Sequence, residues 1–241
     1  MARLIVWFTR SIKRKALGAV LFTLLLLSLA LAAAYYPPFR PTVQVLPLAG
    51  RVVALDPGHG GYDPGGKAEG VLEKDVTLEI SLWLRDLLVE AGCRVFLTRE
   101  DDRDLLVVPT GPKKQQDLEN RLKMIAEAQV DVLLSIHVNS MASPRWYGAQ
   151  TFYREECEDS RRLALLIQEE IIRTMKNTSR KASTGKGNYF LLENAPVPAA
   201  IVEVGFLSNP RERRLLTEPT YQRKMAWSIY LGLIRYFRQP R

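Results

Sequence analysis

RVVALDPGHGGYDPGG, residues 51–66, decides how the rest of the chain is read. Its first half is a short apolar run halted by Pro57-Gly58, which predicts a buried strand rather than a helix. Its second half is glycine-rich, with five glycines and two prolines in residues 55–66, so the strand ends in a loop of bendable backbone. His59 stands in the middle of that loop. It is one of two histidines in the chain, the other being His137. A side chain just beyond the carboxyl end of a buried strand is where sites gather in open α/β sheets.

Working outward toward the C-terminus, period-3.6 and period-2 patterns alternate. Residues 73–91 place Val76, Ile80, Leu84, Leu87, Leu88 and Ala91 at helical spacing, with Gly92 as the stop. RVFLTR (94–99) predicts a strand, 101–117 a polar loop, and 118–129 a helix. VDVLLSIHV (130–138) predicts a strongly apolar strand ending near His137, and AQTFYR (149–154) another. Residues 159–176 predict an amphipathic helix, 177–188 a basic loop, NYFLL (188–192) and AAIVEVGF (199–206) two strands, and 210–216 and 221–237 the closing helices. The alternation predicts a single α/β domain with a mostly parallel central sheet flanked by helices on both faces.

Working outward toward the N-terminus, residues 16–36 carry no charge. Twenty-one helical residues span roughly 30 Å, the hydrocarbon thickness of a bilayer. Arg3, Arg10, Lys13, Arg14 and Lys15 precede this run, which places the N-terminus in the cytoplasm. The expected organisation is a basic cytoplasmic flank (1–15), a transmembrane signal anchor (16–36), a Pro-rich stalk (37–50) and one extracytoplasmic catalytic domain (51–241). A cleaved signal peptide is the competing reading, because Ala32-Ala33-Ala34 resembles a cleavage site; that reading exports the domain too, as a secreted protein. The net charge is +8, but six basic residues lie before residue 51 and no acid occurs before Asp56. The basic flank accounts for most of the excess, so the charge does not point to nucleic acid. A content of 47% hydrophobic residues excludes a disordered chain. Cys93 and Cys157 could form a single disulfide after export, but unpaired thiols are the simpler expectation.

Four residues stand at strand ends or loop junctions: His59, Glu73, His137 and Glu203. Taken singly, His59 reads as surface decoration, His137 as a satisfied core histidine, and Glu73 as an acid in a first helical turn. Glu203 is harder to dismiss, because a lone carboxylate inside AAIVEVGF must find a partner or a function. Taken together, two histidines and one glutamate form a zinc ligand set that leaves a position for water, and the second glutamate is a proton acceptor for that water.

LDPGHGGYDPG, GVLEKDVTLEI, FLTRE, NRLKMIAEAQVDVLLSIHVNS and AAIVEVGFLSNP occur in this order. Together they resemble the zinc-dependent N-acetylmuramoyl-L-alanine amidases of the amidase-3 family, over about residues 50–237. Within that family the resemblance is nearest to the membrane-anchored, germination-specific subgroup of endospore formers. It implies that His59, Glu73 and His137 hold one Zn²⁺ and that Glu203 is the catalytic glutamate. The implied reaction is hydrolysis of the amide between the lactyl group of N-acetylmuramic acid and L-alanine of the stem peptide. The implied setting is spore cortex, where stem-peptide removal precedes muramic-δ-lactam formation in concert with a deacetylase. A general autolysin for cell separation or turnover and a non-catalytic wall-binding relative are the alternatives.

Asp56, Ser135 and Asn139 neighbour the two histidines and are expected to fix imidazole tautomers, with caps or turn residues as the plainer alternative. Arg99, Arg121 and the basic stretch Arg180, Lys181 and Lys186 are candidates for the stem-peptide carboxylates. The expected partners are peptidoglycan, a membrane through the N-terminal helix, and a regulatory or deacetylase protein. Only SMASPRWYG separates Asn139 from the next strand, too short for the helix that plugs the zinc site in larger relatives, so control by expression, tethering or a partner is expected.

Overall fold

The computed structural model describes residues 2–35, 46–107, 110–185, 187 and 189–238. The chain divides into two compact units, 1–44 and 45–241. The first is helix α1 (Ala2–Tyr35). Within it, Lys15–Tyr35 has a mean hydropathy of 2.5 and is long and apolar enough to cross a membrane. Tyr36 and stalk residues 37–45 lie outside the described residues.

The second unit runs β1 (Val52–Pro57), β2 (Lys67–Ala68), β3 (Val71–Leu72), α2 (Glu73–Glu90), β4 (Arg94–Leu97), α3 (Lys113–Glu127), β5 (Val132–Asn139), β6 (Gln150–Tyr153), α4 (Glu158–Met175), β7 (Ser183–Thr184), α5 (Phe190–Asn194), β8 (Ala199–Phe206), α6 (Pro210–Leu216) and α7 (Pro219–Arg238). Six strands form one sheet in the order β4-β1-β5-β8-β6-β7, and β2 and β3 form a separate two-stranded ribbon. β4, β1, β5 and β8 are mutually parallel, and β6 runs antiparallel to β8.

Side chains alternate between the two faces of the sheet. Val53, Leu55, Leu134, Ile136, Val202 and Val204 point into the large core beneath α2, α4 and α7. Ala54, Leu133, Ala199 and Ile201 point the other way, into a smaller core reached by Ile125 of α3 and Leu192 of α5. Asp56, Ser135, His137 and Glu203 continue that second row by alternation, so they emerge on the thinly covered face at the carboxyl ends of the central strands.

Several boundaries differ from the sequence expectation. Leu48 is fully buried in the large core, and its N–H donates to the Ala91 carbonyl at 3.2 Å, so the end of the expected stalk belongs to the folded unit. The loop expected over 101–117 already contains the first turn of α3, which starts at Lys113 after Pro112; its polar residues carry no apolar period to announce it. Residues 183–184 pair with β6 as a short edge strand inside the expected loop 177–188. NYFLL is not a strand: residues 190–194 form α5 and bury Leu191 and Leu192. Apolar runs this short do not distinguish a strand from a helical turn, and the sheet position beside β6 is taken by β7. Cys93 and Cys157 are both free, and Cys93 is buried.

Candidate metal centre and active site

His59 has a left-handed backbone with φ +63°, a conformation that costs a non-glycine residue free energy. Two buried guanidinium groups hold the loop in place. Arg121 donates from Nη2 to the His59 carbonyl (2.8 Å) and from Nη1 to the Pro57 carbonyl (2.9 Å). Arg99 donates from Nε to the Pro57 carbonyl (3.0 Å) and from Nη2 to the Gly58 carbonyl (2.9 Å). Arg121 is itself held by Asp56 (2.8 Å) and Asp117 (2.6 Å). Asp56 also accepts from Thr98 Oγ1 (2.7 Å) and Ser135 Oγ (2.6 Å). Burial alone would raise the Asp56 carboxyl, but Arg121 and these hydroxyls outweigh it and hold it at about 2.

The ring of His59 is oriented by Asp63, whose Oδ2 lies 2.8 Å from Nδ1, and Asp63 Oδ1 accepts from Gly65 N at 3.0 Å. This leaves Nε2 facing Glu73 Oε1 at 3.2 Å. The same oxygen lies 3.0 Å from His137 Nδ1 and accepts from Val138 N at 2.9 Å. Glu73 Oε2 accepts from Gly66 N at 2.8 Å. Two glycines make room for this convergence. A Cβ at Gly58 would run into the His137 ring, and one at Gly65, whose φ is +65°, would sit 2.6 Å from Glu73 Oε2. Burial pushes the Glu73 carboxyl up, but its bonds to His137 and His59 prevail and hold it well below the usual carboxylate range.

His59, Glu73 and His137 each offer one ligand atom, and these atoms lie within 4.8 Å of one another. Ligands at about 2 Å in a tetrahedral zinc shell stand about 3.3 Å apart, close to the 3.2 and 3.0 Å that separate Glu73 Oε1 from the two imidazoles. Two imidazoles and one carboxylate, with one imidazole anchored by a carboxylate on its far nitrogen, have the donor chemistry of a zinc site with an open position.

Glu203 is the register partner of His137 on the adjacent strand. Its side chain is buried. Oε1 accepts from the Tyr189 hydroxyl at 3.1 Å, while Oε2 has no hydrogen-bond partner among the described residues. Burial pushes the Glu203 carboxyl up to about 7, with His137 pulling it down and Glu73 pushing it up. A carboxyl poised near neutrality with one unspent oxygen is suited to taking and returning a proton.

The neighbouring residues expected to fix the imidazoles do otherwise. Asp56 accepts from Ser135, Thr98 and Arg121, Ser135 bonds to Asp56, and the group bears on His59 through the loop backbone that Arg121 holds. Asn139 gives its carbonyl to Leu207 N (2.9 Å). Arg99 and Arg121, at 1% and 2% exposure, are spent on backbone carbonyls and acids, so neither reaches a substrate carboxylate. Arg180 is half-buried, donating to the Tyr147 carbonyl (2.7 Å) and Gln150 Oε1 (3.0 Å); Lys186 lies outside the described residues. The sequence reading missed Asp63 and Tyr189. The spacing His59-x-x-x-Asp63 within a turn could have signalled the first. Nothing local marks Tyr189, which arrives through the fold of the α5 segment.

Residues 53–235 match the N-acetylmuramoyl-L-alanine amidase family, Amidase_3. The chain belongs to this family. The amidase is 47% identical over 197 residues to the germination-specific N-acetylmuramoyl-L-alanine amidase of Bacillus subtilis (strain 168), covering 80% of this chain and 82% of that one. Among solved structures it resembles the CwlD amidase from Clostridioides difficile in complex with the GerS lipoprotein, with a TM-score of 0.75 and 39% identity, covering 78% of this chain and 98% of that chain. It also resembles the catalytic domain of CwlV from Bacillus (Paenibacillus) polymyxa var. colistinus, with a TM-score of 0.68 and 28% identity over 78% of this chain and 98% of that chain. The amidase is therefore a hydrolase of peptidoglycan, and its α/β fold with a mostly parallel sheet is that of its relatives.

Proposed function

We propose that the amidase is a zinc enzyme of spore germination, cleaving the amide between the lactyl group of N-acetylmuramic acid and L-alanine of the stem peptide. His59 Nε2, Glu73 and His137 would hold the ion. A divalent ion at this site supplies Lewis-acid chemistry, acidifying water and withdrawing electron density from a carbonyl. Glu203 does the proton work. Its unpartnered Oε2 takes a proton as water adds to the amide carbon, and returns it to nitrogen as the C–N bond breaks. The products are a free lactyl carboxyl and the free amine of L-alanine. Tyr189 keeps Oε1 occupied, so Oε2 is the oxygen left to react.

The observation that carries this reading is the buried, half-satisfied carboxyl of Glu203 in register with His137. The germination role is supported by the 47% identity to the germination-specific relative, and it extends to cortex peptidoglycan made ready for muramic-δ-lactam. The apolar span Lys15–Tyr35 supports a membrane anchor with the catalytic domain on the extracytoplasmic side. The lipoprotein bound to the C. difficile relative supports a regulatory protein partner of that class.

The test is mass spectrometry of muropeptides incubated with the full chain in detergent, with and without a chelator. Release of intact stem peptides bearing a free L-alanine amine, lost on chelation and restored by zinc, is expected. Cleavage within the stem, or cleavage indifferent to chelation, overturns the proposal.

A further inference from the structure

We infer that the groove between α3 and α5 is the stem-peptide subsite, with Lys113 and Lys114 receiving a carboxylate of the peptide; this rests on the amidase reading above. The catalytic cleft, about 230 Å³, is walled by His59, His137 and Tyr189 at one end and by Lys114, Leu118 and Phe190 at the other. It runs on into a shallower depression of about 580 Å³ that shares Lys114, Leu118 and Phe190 and adds Lys113. One continuous path therefore leads from the metal ligands, over an apolar floor, to two lysines.

The charges along this path are not equivalent. Arg121 and Asp117 are bonded to each other. Asp63 is bonded to His59 and to Gly65 N. The Lys113 and Lys114 side chains make no hydrogen bond or ion pair among the described residues; Lys114 lies near enough to Asp63 to help hold its carboxyl down, and the Lys113 ammonium lies 5.5 Å from the centroid of the exposed Tyr62 ring. No acid stands in the first turn of α3 to offset them. The groove thus ends in two cations that no side-chain hydrogen bond or ion pair fixes, complementary to a carboxylate of the peptide.

The scissile amide has a sugar on one side and a peptide on the other. The exposed rings of Trp146 and Tyr147, suited to a sugar face, lie at the β6 end of the sheet, where Arg180 donates to the Tyr147 carbonyl and to Gln150. The α3 end lies beside β1 and offers a cleft that opens past Leu118 and Phe190 onto two cations. The peptide is the occupant that fits the α3 end.

The experiment compares kcat/KM of the full chain for N-acetylmuramoyl-tripeptide and for N-acetylmuramoyl-L-alanine. The double substitution Lys113→Glu/Lys114→Glu is expected to cut the preference for the tripeptide by about tenfold, mainly through KM. Lys113→Arg/Lys114→Arg should keep that preference. Raising salt from about 50 to about 500 mM should erode it in the unsubstituted chain. A preference unmoved by charge reversal overturns the subsite, as does an equal loss on both substrates or a loss that follows glycan length. If the unsubstituted chain cleaves neither substrate, the amidase reading itself fails and the subsite falls with it.

Discussion

His137 and Glu203 stand opposite each other on neighbouring parallel strands, so one sheet register delivers both a candidate metal ligand and a candidate proton carrier to the same face. Side chains opposite each other in a sheet lie within reach without any loop to place them. Rigid strands hold such a pair more tightly than loops do. Glu203→Gln removes the proton acceptor while keeping shape and hydrogen bonding to Tyr189. A fall in kcat of about 10²–10⁴-fold is expected, with metal content by atomic emission unchanged. A variant that retains most of its turnover on purified muropeptides would remove Glu203 from the mechanism.

Asp63 bears on the proposed metal site through His59. Its carboxylate occupies Nδ1 and leaves Nε2 for the ion. Asp63→Ala is expected to weaken zinc binding by about 10–100-fold, measured by competition with a fluorescent chelator. His59→Ala should abolish stoichiometric binding. Equal affinity in Asp63→Ala and the parent would show that the ring is oriented by something else.

Tyr189 donates to Glu203 Oε1, and burial together with Glu203 holds its phenol above the ordinary tyrosine range, so it stays protonated and donating. Tyr189→Phe removes one hydrogen bond to a charged group, worth about 1.5–3 kcal/mol. That corresponds to a fall in kcat of about ten- to a hundredfold with KM nearly constant. A change confined to KM would reassign Tyr189 to substrate binding alone.

Arg121 sits between Asp56 and Asp117 while holding two loop carbonyls. Arg121→Met leaves two buried carboxylates without their cation, which should cost about 3–5 kcal/mol. The melting temperature should fall by about 10 °C, read by calorimetry. Zinc affinity should fall with it, because His59 loses the clamp on its strained backbone.

Acid should act on the same cluster. The folded-state pKa of Asp56 is depressed, from 3.8 to about 2. Its stabilisation is therefore fully present above the unfolded value and is lost as pH falls from about 4 through about 2. The contribution is about 2 kcal/mol. Urea titrations at pH 6 and pH 3 should differ by more in the parent than in Asp56→Asn. An identical pH response in the two proteins would remove Asp56 as a source of acid sensitivity.

Much of the fold was legible along the chain because burial on both faces of a parallel sheet leaves unbroken apolar runs. VVALD, VLLSIHV and AAIVEVGF are such runs, and each marks a central strand. The edges were less legible. β7 is two residues long, α5 is one turn, and α3 begins in polar sequence; none of these presents a full hydrophobic period.

The sequence by itself determined the order of the central strands and the long helices, the apolar N-terminal span, and the four residues worth testing as a site. Glu203 stood out because a charge inside an apolar strand is costly unless compensated, and His59, Glu73 and His137 stood out only as a set with metal-ligand chemistry. Only the tertiary structure decided who serves whom. Asp63 rather than Asp56 orients His59, Tyr189 reaches Glu203 from a distant segment, and Arg99 and Arg121 spend their charge on the loop backbone instead of on substrate. Those assignments depend on where side-chain tips meet in space. Asp63 is only four positions from His59, but the other partners, fourteen to sixty-four positions apart, meet through sheet register and helix packing, which no local pattern encodes.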